Sequence, residues 1–476
     1  MGTGRALARA EDLLRKLVRE LLDSRPGWLE PFQPFVHRIA IYNIEVDADV
    51  SSCRAYAAAT EALVSLPHFR ERYGEDAASR LTIQFVYTYL ARVLTAEYAE
   101  DVFTQTWQGF LEELRDPEWH FVGVANLTNF NSNMSTIDLG DGISIRHRVV
   151  ADLRRDLGWS DWEIEQLQND WSGPGASSYI FYLEENVPKE PSNLILQNTA
   201  TASLRRDRAL TALRLHSDGD VNTGALFHGR RAKFNVGLGG LSQTPSVAPQ
   251  FSFGDRYSLR GSDVPAIRDL YELFLQFDSN AHKERNLPLA FRRFAMRFTR
   301  GSQSGEDQLV DLVTALEAIL GTEDELTFKL SFRIASLLAE TEDQRVELFK
   351  TMKEYYAVRS RIVHGGELRQ RHLDLVNSQR PLREIVRRLL VAVLEAYTET
   401  DSPFQRTYVR ERLDEVLLHA ERRDALRAKI GLVGGPSISA TPPEEASGYI
   451  AAFDRSAGPP SAEVYVGGSR EQAEFN

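Results

Sequence analysis

Length, composition and charge set the first limits on what this chain can be. It has 476 residues, of which 42% are hydrophobic, so it can form more than one core. Its 56 Lys and Arg residues are outnumbered by 68 Asp and Glu residues. The resulting net charge of −12 argues against a protein that coats duplex nucleic acid, although it allows a local basic groove.

Cysteine content and hydropathy bear on the cellular compartment. The single cysteine, Cys53, excludes an intramolecular disulfide and a thiolate zinc site. The sequence has no run of about 18 uncharged apolar residues, and its N-terminus lacks the apolar core of a signal peptide. We therefore expect a cytoplasmic protein without a membrane segment, a metal ion or another cofactor.

The sequence pattern changes along the chain and predicts a mainly α fold with an α+β middle module. Leucines at helical spacing between charged residues indicate a helical region over 1–115. Over 116–261, short β-branched and aromatic runs such as "ISIRHRVV" and "NLILQNTA" are separated by turn residues, which favours a mainly antiparallel sheet. The stretch "DLGDGIS" at 138–144 predicts a hairpin turn.

Residues 262–430 predict a helical bundle. Amphipathic segments joined by short polar connectors are typical of that architecture. The predicted helices begin near Pro265 and at Asn286, and continue over 309–320, 330–338, 344–364, 381–397 and 403–430. Residues 431–476 are rich in Gly, Pro, Ser and Ala, which predicts a disordered tail.

The segment "YYAVRSRIVHGG", residues 355–366, carries an arginine where a helix should be apolar. Arg359 and Tyr356 lie on the stripe that the apolar residues of this helix form. A guanidinium there must be paired, reach a wet cleft or face another subunit, and Glu317 on an earlier helix is a candidate partner. Gly365 and the glycine after it should end the helix and leave His364 at the rim of the bundle.

These residue types suit phosphodiester chemistry without a metal. Ser360 and His364 are four residues apart and share a face of the helix. Histidine exchanges protons near neutral pH, and the planar fork of Arg359 suits a phosphate group. The spacing alone is not specific, because Arg412 and His419 form another such pair on a predicted helix.

Three segments in order, "DLVTALEAIL", "FKLSFRIASLLA" and "YYAVRSRIVHGG", resemble the Apea-like branch of the HEPN superfamily. HEPN proteins are helical bundles that share a motif of Arg, a polar residue, three variable residues and His. The resemblance covers about a third of the chain. Ser360 stands where many HEPN ribonucleases have Asn, Asp or His, and serine is usual for the Apea-like branch.

The resemblance implies a HEPN-like C-terminal bundle that acts as a metal-independent endoribonuclease, often in bacterial defence against viruses. It implies that His364 is the general base or acid and that Arg359 stabilises the scissile phosphate, with Ser360 completing the motif. Glu317 and Tyr356 would support Arg359. HEPN proteins commonly form homodimers through the bundle, which would supply a second histidine.

Two rows of arginines near the predicted site favour an RNA-binding path. Arg380, Arg383 and Arg387 line one helix, and Arg293, Arg297 and Arg300 line another. A solvated face with salt bridges is the more common explanation of each row. The N-terminal 261 residues would then sense an unidentified trigger.

A second interpretation is a non-catalytic HEPN-fold protein for dimerisation or binding. Arg359 would then be a structural ion-pair residue, and His364 would be favoured at the helix end by the macrodipole. A metal hydrolase fits poorly, because the sequence has no HExxH motif.

Overall fold

The structure is a computed structural model, and the helices and strands below all lie within the residues that it describes. These are residues 3–24, 48–93, 97–148, 176–190, 197–230, 242–244, 256–280, 285–299, 305–322, 324–397 and 402–433. The predicted disordered tail lies outside the described residues from residue 434 onward. The described chain is mainly helical with a small antiparallel sheet in the middle, which confirms the coarse fold class.

Helices form the N-terminal part of the chain. Leu14, Leu17 and Leu21 are buried there against aromatic side chains such as Phe85 and Phe110. The helices are α1 (Thr3–Ser24), α2 (Arg54–Val64), α3 (Phe69–Tyr73), α4 (Ala77–Arg92) and α5 (Glu100–Arg115).

A seven-stranded sheet forms the middle of the chain. Its order is β3-β4-β5-β1-β7-β8, with β6 also paired to β1, and every pair is antiparallel. A second, parallel pair joins β2 to β9. The strands are β1 (Glu118–Thr128), β2 (Phe130–Ser132), β3 (Thr136–Gly140), β4 (Ile143–His147), β5 (Ala176–Pro188), β6 (Asn222–Thr223), β7 (Leu226–Arg230), β8 (Ser242–Thr244) and β9 (Tyr257–Leu259).

The predicted hairpin turn joins β3 to β4. Gly140, Asp141 and Gly142 all have positive φ angles. A Cβ atom on Gly142 would lie 2.2 Å from the carbonyl oxygen of Glu184, so only glycine fits there.

One strand prediction is wrong. Of the stretch "NLILQNTA", residues 193–196 lie outside the described part, and residues 197–200 begin helix α6 (Gln197–His216). Two of the inward positions of α6 are arginines, Arg205 and Arg206, which are buried beside Ala202 and Ala209. Because charged side chains occupy part of the buried face, the amphipathic pattern of a helix was hidden in the sequence.

The C-terminal helices confirm the segments predicted from 265 to 397. They are α7 (Val264–Asn280), α8 (Asn286–Thr299), α9 (Gly305–Leu320), α10 (Leu326–Leu338), α11 (Glu342–Val363), α12 (Gln370–Asn377) and α13 (Arg380–Tyr397). Helix α12 was not predicted, because only His372 and Val376 of its eight residues are buried.

The single helix predicted over 403–430 is also wrong. The structure has three short helices there: α14 (Arg406–Glu411), α15 (Leu413–Leu418) and α16 (Ala420–Lys429). The backbone departs from helical geometry at Arg412 and becomes extended at His419. These breaks reorient α15, so that Leu413 and Leu417 are buried while Asp414 pairs with Arg333 of α10.

The sheet and the C-terminal helices share one hydrophobic core. Buried residues of β1 and α6 belong to the same cluster as those of α7 to α16, whereas the N-terminal helices form a second cluster with Trp119. The boundary proposed near residue 261 stays a prediction, since buried side chains on both sides of it pack together.

Ion pairs join the loop after α6 to the helical bundle. Asp218 accepts two hydrogen bonds from Arg383 of α13, at 3.0 and 2.8 Å. Asp220 of the same loop pairs with Arg297 of α8 at 3.0 Å. Burial raises the pKa of Asp218, but the hydrogen bond and charge of Arg383 outweigh it, so the net pKa is lowered.

Replacing Asp218 by Asn should destabilise the fold by about 2 kcal/mol at pH 7, because Arg383 loses its counter-charge while staying largely buried. Since the folded-state pKa of Asp218 is lowered, its contribution is present above about pH 4 and is lost as the pH falls through that folded-state pKa. Urea denaturation at several pH values measures this. The difference from wild type should shrink in acid.

The control is Asp12→Asn, whose carboxylate is 64% exposed and 3.9 Å from Lys16. It should change the free energy of unfolding by less than about 0.5 kcal/mol. Equal effects of the two substitutions would show that the ion pair of Asp218 with Arg383 does not stabilise the contact between the loop after α6 and the helical bundle.

Candidate active site

The end of helix α11 has the geometry that the two glycines predict. Gly365 has a φ of +69°, and its N–H donates to the carbonyl of Ile362. The N–H of Gly366 donates to the carbonyl of Arg361 at 2.8 Å. This pair of bonds is a Schellman motif, which ends the helix and leaves the side chain of His364 exposed.

Arg359 pairs with the predicted partner. Its Nη2 donates to Oε2 of Glu317 on α9 at 3.0 Å, and the two side chains are only 22% and 16% exposed. The guanidinium carbon lies 5.9 Å from the ring centre of Tyr356. Glu317, Tyr356 and Arg359 therefore form one half-buried group, as the sequence predicted.

The electrostatics of this group leave capacity for a further contact. Burial raises the pKa of Glu317, and the positive charge of Arg359 opposes that rise. Among the described residues, neither Nε of Arg359 nor Oε1 of Glu317 has a hydrogen-bond partner. Guanidinium has five N–H donors, so Arg359 can bind an oxyanion without leaving Glu317.

Ser360 lies on the last turn of α11, and His364 is the C-cap that follows the helix. The backbone N–H of His364 donates to the carbonyl of Ser360 at 3.1 Å, and Ser360 is half-buried. Within the described residues, Arg359 and His364 are not hydrogen-bonded to each other. The structure thus holds Arg359 in place and leaves the imidazole of His364 accessible to a ligand.

The predicted RNA-binding row on α13 is largely committed to other contacts. Arg383 binds Asp218, and Arg387 pairs with Glu384 while donating to the carbonyls of Leu215 and His216 at 2.7 Å. Arg380 lies 3.9 Å from Asp218 and is 72% exposed. Of this row, the structure leaves Arg380 the most accessible to RNA.

Two arginines of the second predicted row, on α8, also pair with carboxylates. Arg293 pairs with the buried Asp311 at 3.0 Å, and Arg297 pairs with Asp220. Arg300 lies outside the described residues. The structure therefore gives Arg293 and Arg297 partners that the sequence pattern did not reveal.

Three arginines beside the motif were not singled out from the sequence. Arg361 lies on the last turn of α11, Arg369 precedes α12, and Arg371 lies in its first turn. All three are exposed. The signal was present in "RSRIVHGGELRQRH", where four arginines fall within a few residues, but only the structure shows that a turn brings them together.

Three further findings concern metal-binding groups, membrane-spanning helices and similarity to known proteins. In the described part of the chain, no group of three or more His, Cys, Asp or Glu side chains is arranged to hold a metal ion. The helices within the described ranges include none that is long and apolar enough to cross a membrane. Comparisons with family models, with curated proteins and with solved structures give no match for this chain.

The Glu317 and Arg359 pair should contribute measurably to stability. Glu317→Gln removes the counter-charge of a guanidinium that is mostly buried, so we expect a loss of about 1–2 kcal/mol. In a double-mutant cycle with Arg359→Gln, the coupling energy from urea denaturation should be at least about 1 kcal/mol. Glu347→Gln, on the same helix as Arg359 but at an exposed position with no ion pair among the described residues, is the control and should cost less than about 0.5 kcal/mol. A coupling energy near zero would contradict the pair.

The two glycines offer a matched test of the helix end. Gly365→Ala places a side chain at positive φ in open space, so its cost is backbone strain of about 1 kcal/mol. A Cβ on Gly366 would lie 3.5 Å from Arg361, in ordinary contact and at ordinary φ, so Gly366→Ala should be nearly neutral. Thermal or urea denaturation distinguishes the two. Equal costs would show that the left-handed residue does not determine this helix end.

Proposed function

We propose that this chain is a metal-independent endoribonuclease of the HEPN type, with Arg359, Ser360 and His364 as its motif. The observation that carries the proposal is the end of α11, where an exposed histidine follows a half-buried arginine held by Glu317. A buried arginine is costly, and a helix that keeps one on the turn before an accessible proton-transfer group has the residue types that RNA cleavage needs.

In the proposed reaction, His364 removes the proton from a ribose 2′-hydroxyl. The 2′-oxygen attacks the phosphorus, the bond to the 5′-oxygen breaks, and that oxygen takes up a proton. Arg359 donates N–H groups to the phosphate as negative charge develops on it. The products are a 2′,3′-cyclic phosphate and a 5′-hydroxyl end, and DNA is not cleaved because it lacks the attacking hydroxyl.

A homodimer would supply the second proton-transfer group. One histidine cannot easily act as both base and acid in a single step, whereas His364 of a second copy can take the other role. Apolar surface at the motif supports this arrangement. Val363, which precedes His364, is 50% exposed.

The residues before 262 would sense a trigger or restrain the site, and antiviral defence in a bacterial cytoplasm is the setting that the resemblance suggests. Arg383 and Arg387 of the bundle contact the loop after α6, so a change in the sheet can reach the helices physically.

A specific observation favours the alternative, a non-catalytic protein for dimerisation or binding. Arg359 already has Glu317 as its partner, which is sufficient for a purely structural arginine. Under this alternative, the exposed Phe328 and Val363 would serve association alone.

The test compares His364→Ala with wild type in two assays. His364 is exposed, so its loss should leave the fold intact, yet we expect cleavage of a labelled RNA to fall by at least about 100-fold. Cleavage by wild type should persist in EDTA and leave cyclic phosphate ends. Induction in a bacterial host should be toxic for wild type and harmless for His364→Ala.

The control is His419→Ala, since His419 is also exposed and also comes directly after a helix. It should cleave RNA and inhibit growth like wild type. If wild type and His364→Ala were both stable dimers that left RNA unchanged, the non-catalytic alternative would replace the proposal.

A further inference from the structure

Three exposed arginines lie in the segment that joins α11 to α12, together with one buried histidine. We call Arg361, Arg369 and Arg371 the α11–α12 arginine cluster. His372, which follows Arg371 directly, is only 4% exposed. Burial lowers the pKa of His372, and the positive charges of Arg361, Arg371 and Arg369 lower it further.

The backbone fixes the cluster in place. Gly366 returns the chain over the last turn of α11, where Nη1 of Arg361 donates to the carbonyl of Glu367 at 3.4 Å. The N–H of Arg369 donates to Nδ1 of His372 at 3.3 Å. This bond needs a neutral imidazole, so His372 anchors the start of α12 without adding a fourth charge.

The cluster lacks the counter-charges that other arginines of the chain have. Arg371 has only a loose contact with Glu354, at 4.0 Å between side chains that are 66% and 53% exposed. No carboxylate of the described residues pairs with Arg361 or Arg369. Because like charges repel, three neighbouring guanidinium groups are unfavourable unless an anion joins them.

The sequence around the cluster also has an excess of positive charge. Residues 359–374 contain four arginines against Glu367 and Asp374, within a chain of net charge −12. A chain with 68 acidic residues has many that could neutralise this turn. A polyanion from outside is therefore the partner that the charge distribution favours.

The cluster is next to the proposed catalytic histidine. Arg361 lies on the last turn of α11, His364 is the C-cap three residues later, and both side chains are exposed. An RNA strand that contacts Arg361 therefore reaches the helix end that carries the proposed catalytic imidazole.

We propose that Arg361, Arg369 and Arg371 bind consecutive phosphates of single-stranded RNA and direct the strand to His364. The step in which the strand is directed to His364 rests on the proposed ribonuclease function, whereas the binding of phosphates by the arginines does not. A single strand fits because in-line attack by a 2′-oxygen needs a backbone that can rotate, which a duplex restrains. Contacts to phosphates alone also mean that the cluster selects for charge and not for base sequence.

The test measures binding in the His364→Ala background, so that the RNA stays intact. The probe is a fluorescein-labelled, unpaired RNA about 20 nucleotides long, and the readout is fluorescence anisotropy at several salt concentrations. Replacing all three arginines by glutamine should weaken binding about tenfold or more and should make the slope of log K against log salt less steep by about 2. DNA of the same sequence should bind about as tightly as RNA, because it offers the same phosphates.

The matched control replaces Arg70, Arg410 and Arg422 by glutamine, which removes the same charge from exposed positions elsewhere. It should bind like the parent. Arg380→Gln, measured in the same assay, tests whether the arginine row on α13 that was predicted from the sequence binds RNA.

The outcomes separate this inference from the proposed function. If the cluster variant binds RNA as the parent does, or if the parent does not bind RNA, the cluster is not an RNA-binding surface, whatever His364 does. If the cluster variant and the control lose binding equally, total charge and not the cluster is responsible, and the inference fails. If binding depends on the cluster but His364→Ala cleaves RNA like wild type, the cluster stands and the proposed catalytic role is wrong.

Discussion

A guanidinium group can leave water only when oxygen atoms replace its hydration, and this requirement sets the arrangement of the helices. Arg333 shows it most clearly, because it is fully buried on α10. It donates to both carboxylate oxygens of Asp414, at 2.6 and 2.8 Å, and to the carbonyl of Leu320 at 2.6 Å. One side chain thus ties together α9, α10 and α15. Apolar packing has little direction, whereas these hydrogen bonds specify which helix ends meet.

The candidate site depends on the same helix end. Glu317 lies on the last turn of α9, one turn before the carbonyl of Leu320 that Arg333 uses. The position of Arg359 on α11 is therefore linked through α9 to the fully buried arginine of α10. Gly321 closes this turn, since a Cβ there would lie 2.3 Å from the carbonyl oxygen of Glu317. The site is rigid on the side of Arg359 and open on the side of His364, where the Schellman motif ends the helix.

Sequence reasoning succeeded where a short-range pattern controls the structure. The long amphipathic helices, the hairpin at 140–142 and the helix end at Gly365 all follow from local spacing or local backbone requirements. The pairing of Arg359 with Glu317 was predictable because a core position demands a counter-charge. Helix α6 escaped prediction because buried arginines interrupt its apolar face. The break near Arg412 also escaped, since it depends on contacts with α10, far away in the sequence.

The arginines show why charge patterns in a sequence mislead and what the structure adds. Arg383 and Arg387 form a basic row on α13, yet the carboxylate that pairs with Arg383 and two carbonyls that accept from Arg387 lie on or just after α6, about 170 residues earlier in the chain. Arg361, Arg369 and Arg371 form no such row, and the turn alone brings them together. Local density of arginine is therefore a poor guide to binding. An arginine without a counter-charge in the folded protein is a better guide. In an acidic chain, folding should neutralise a basic group unless an external ligand needs its charge.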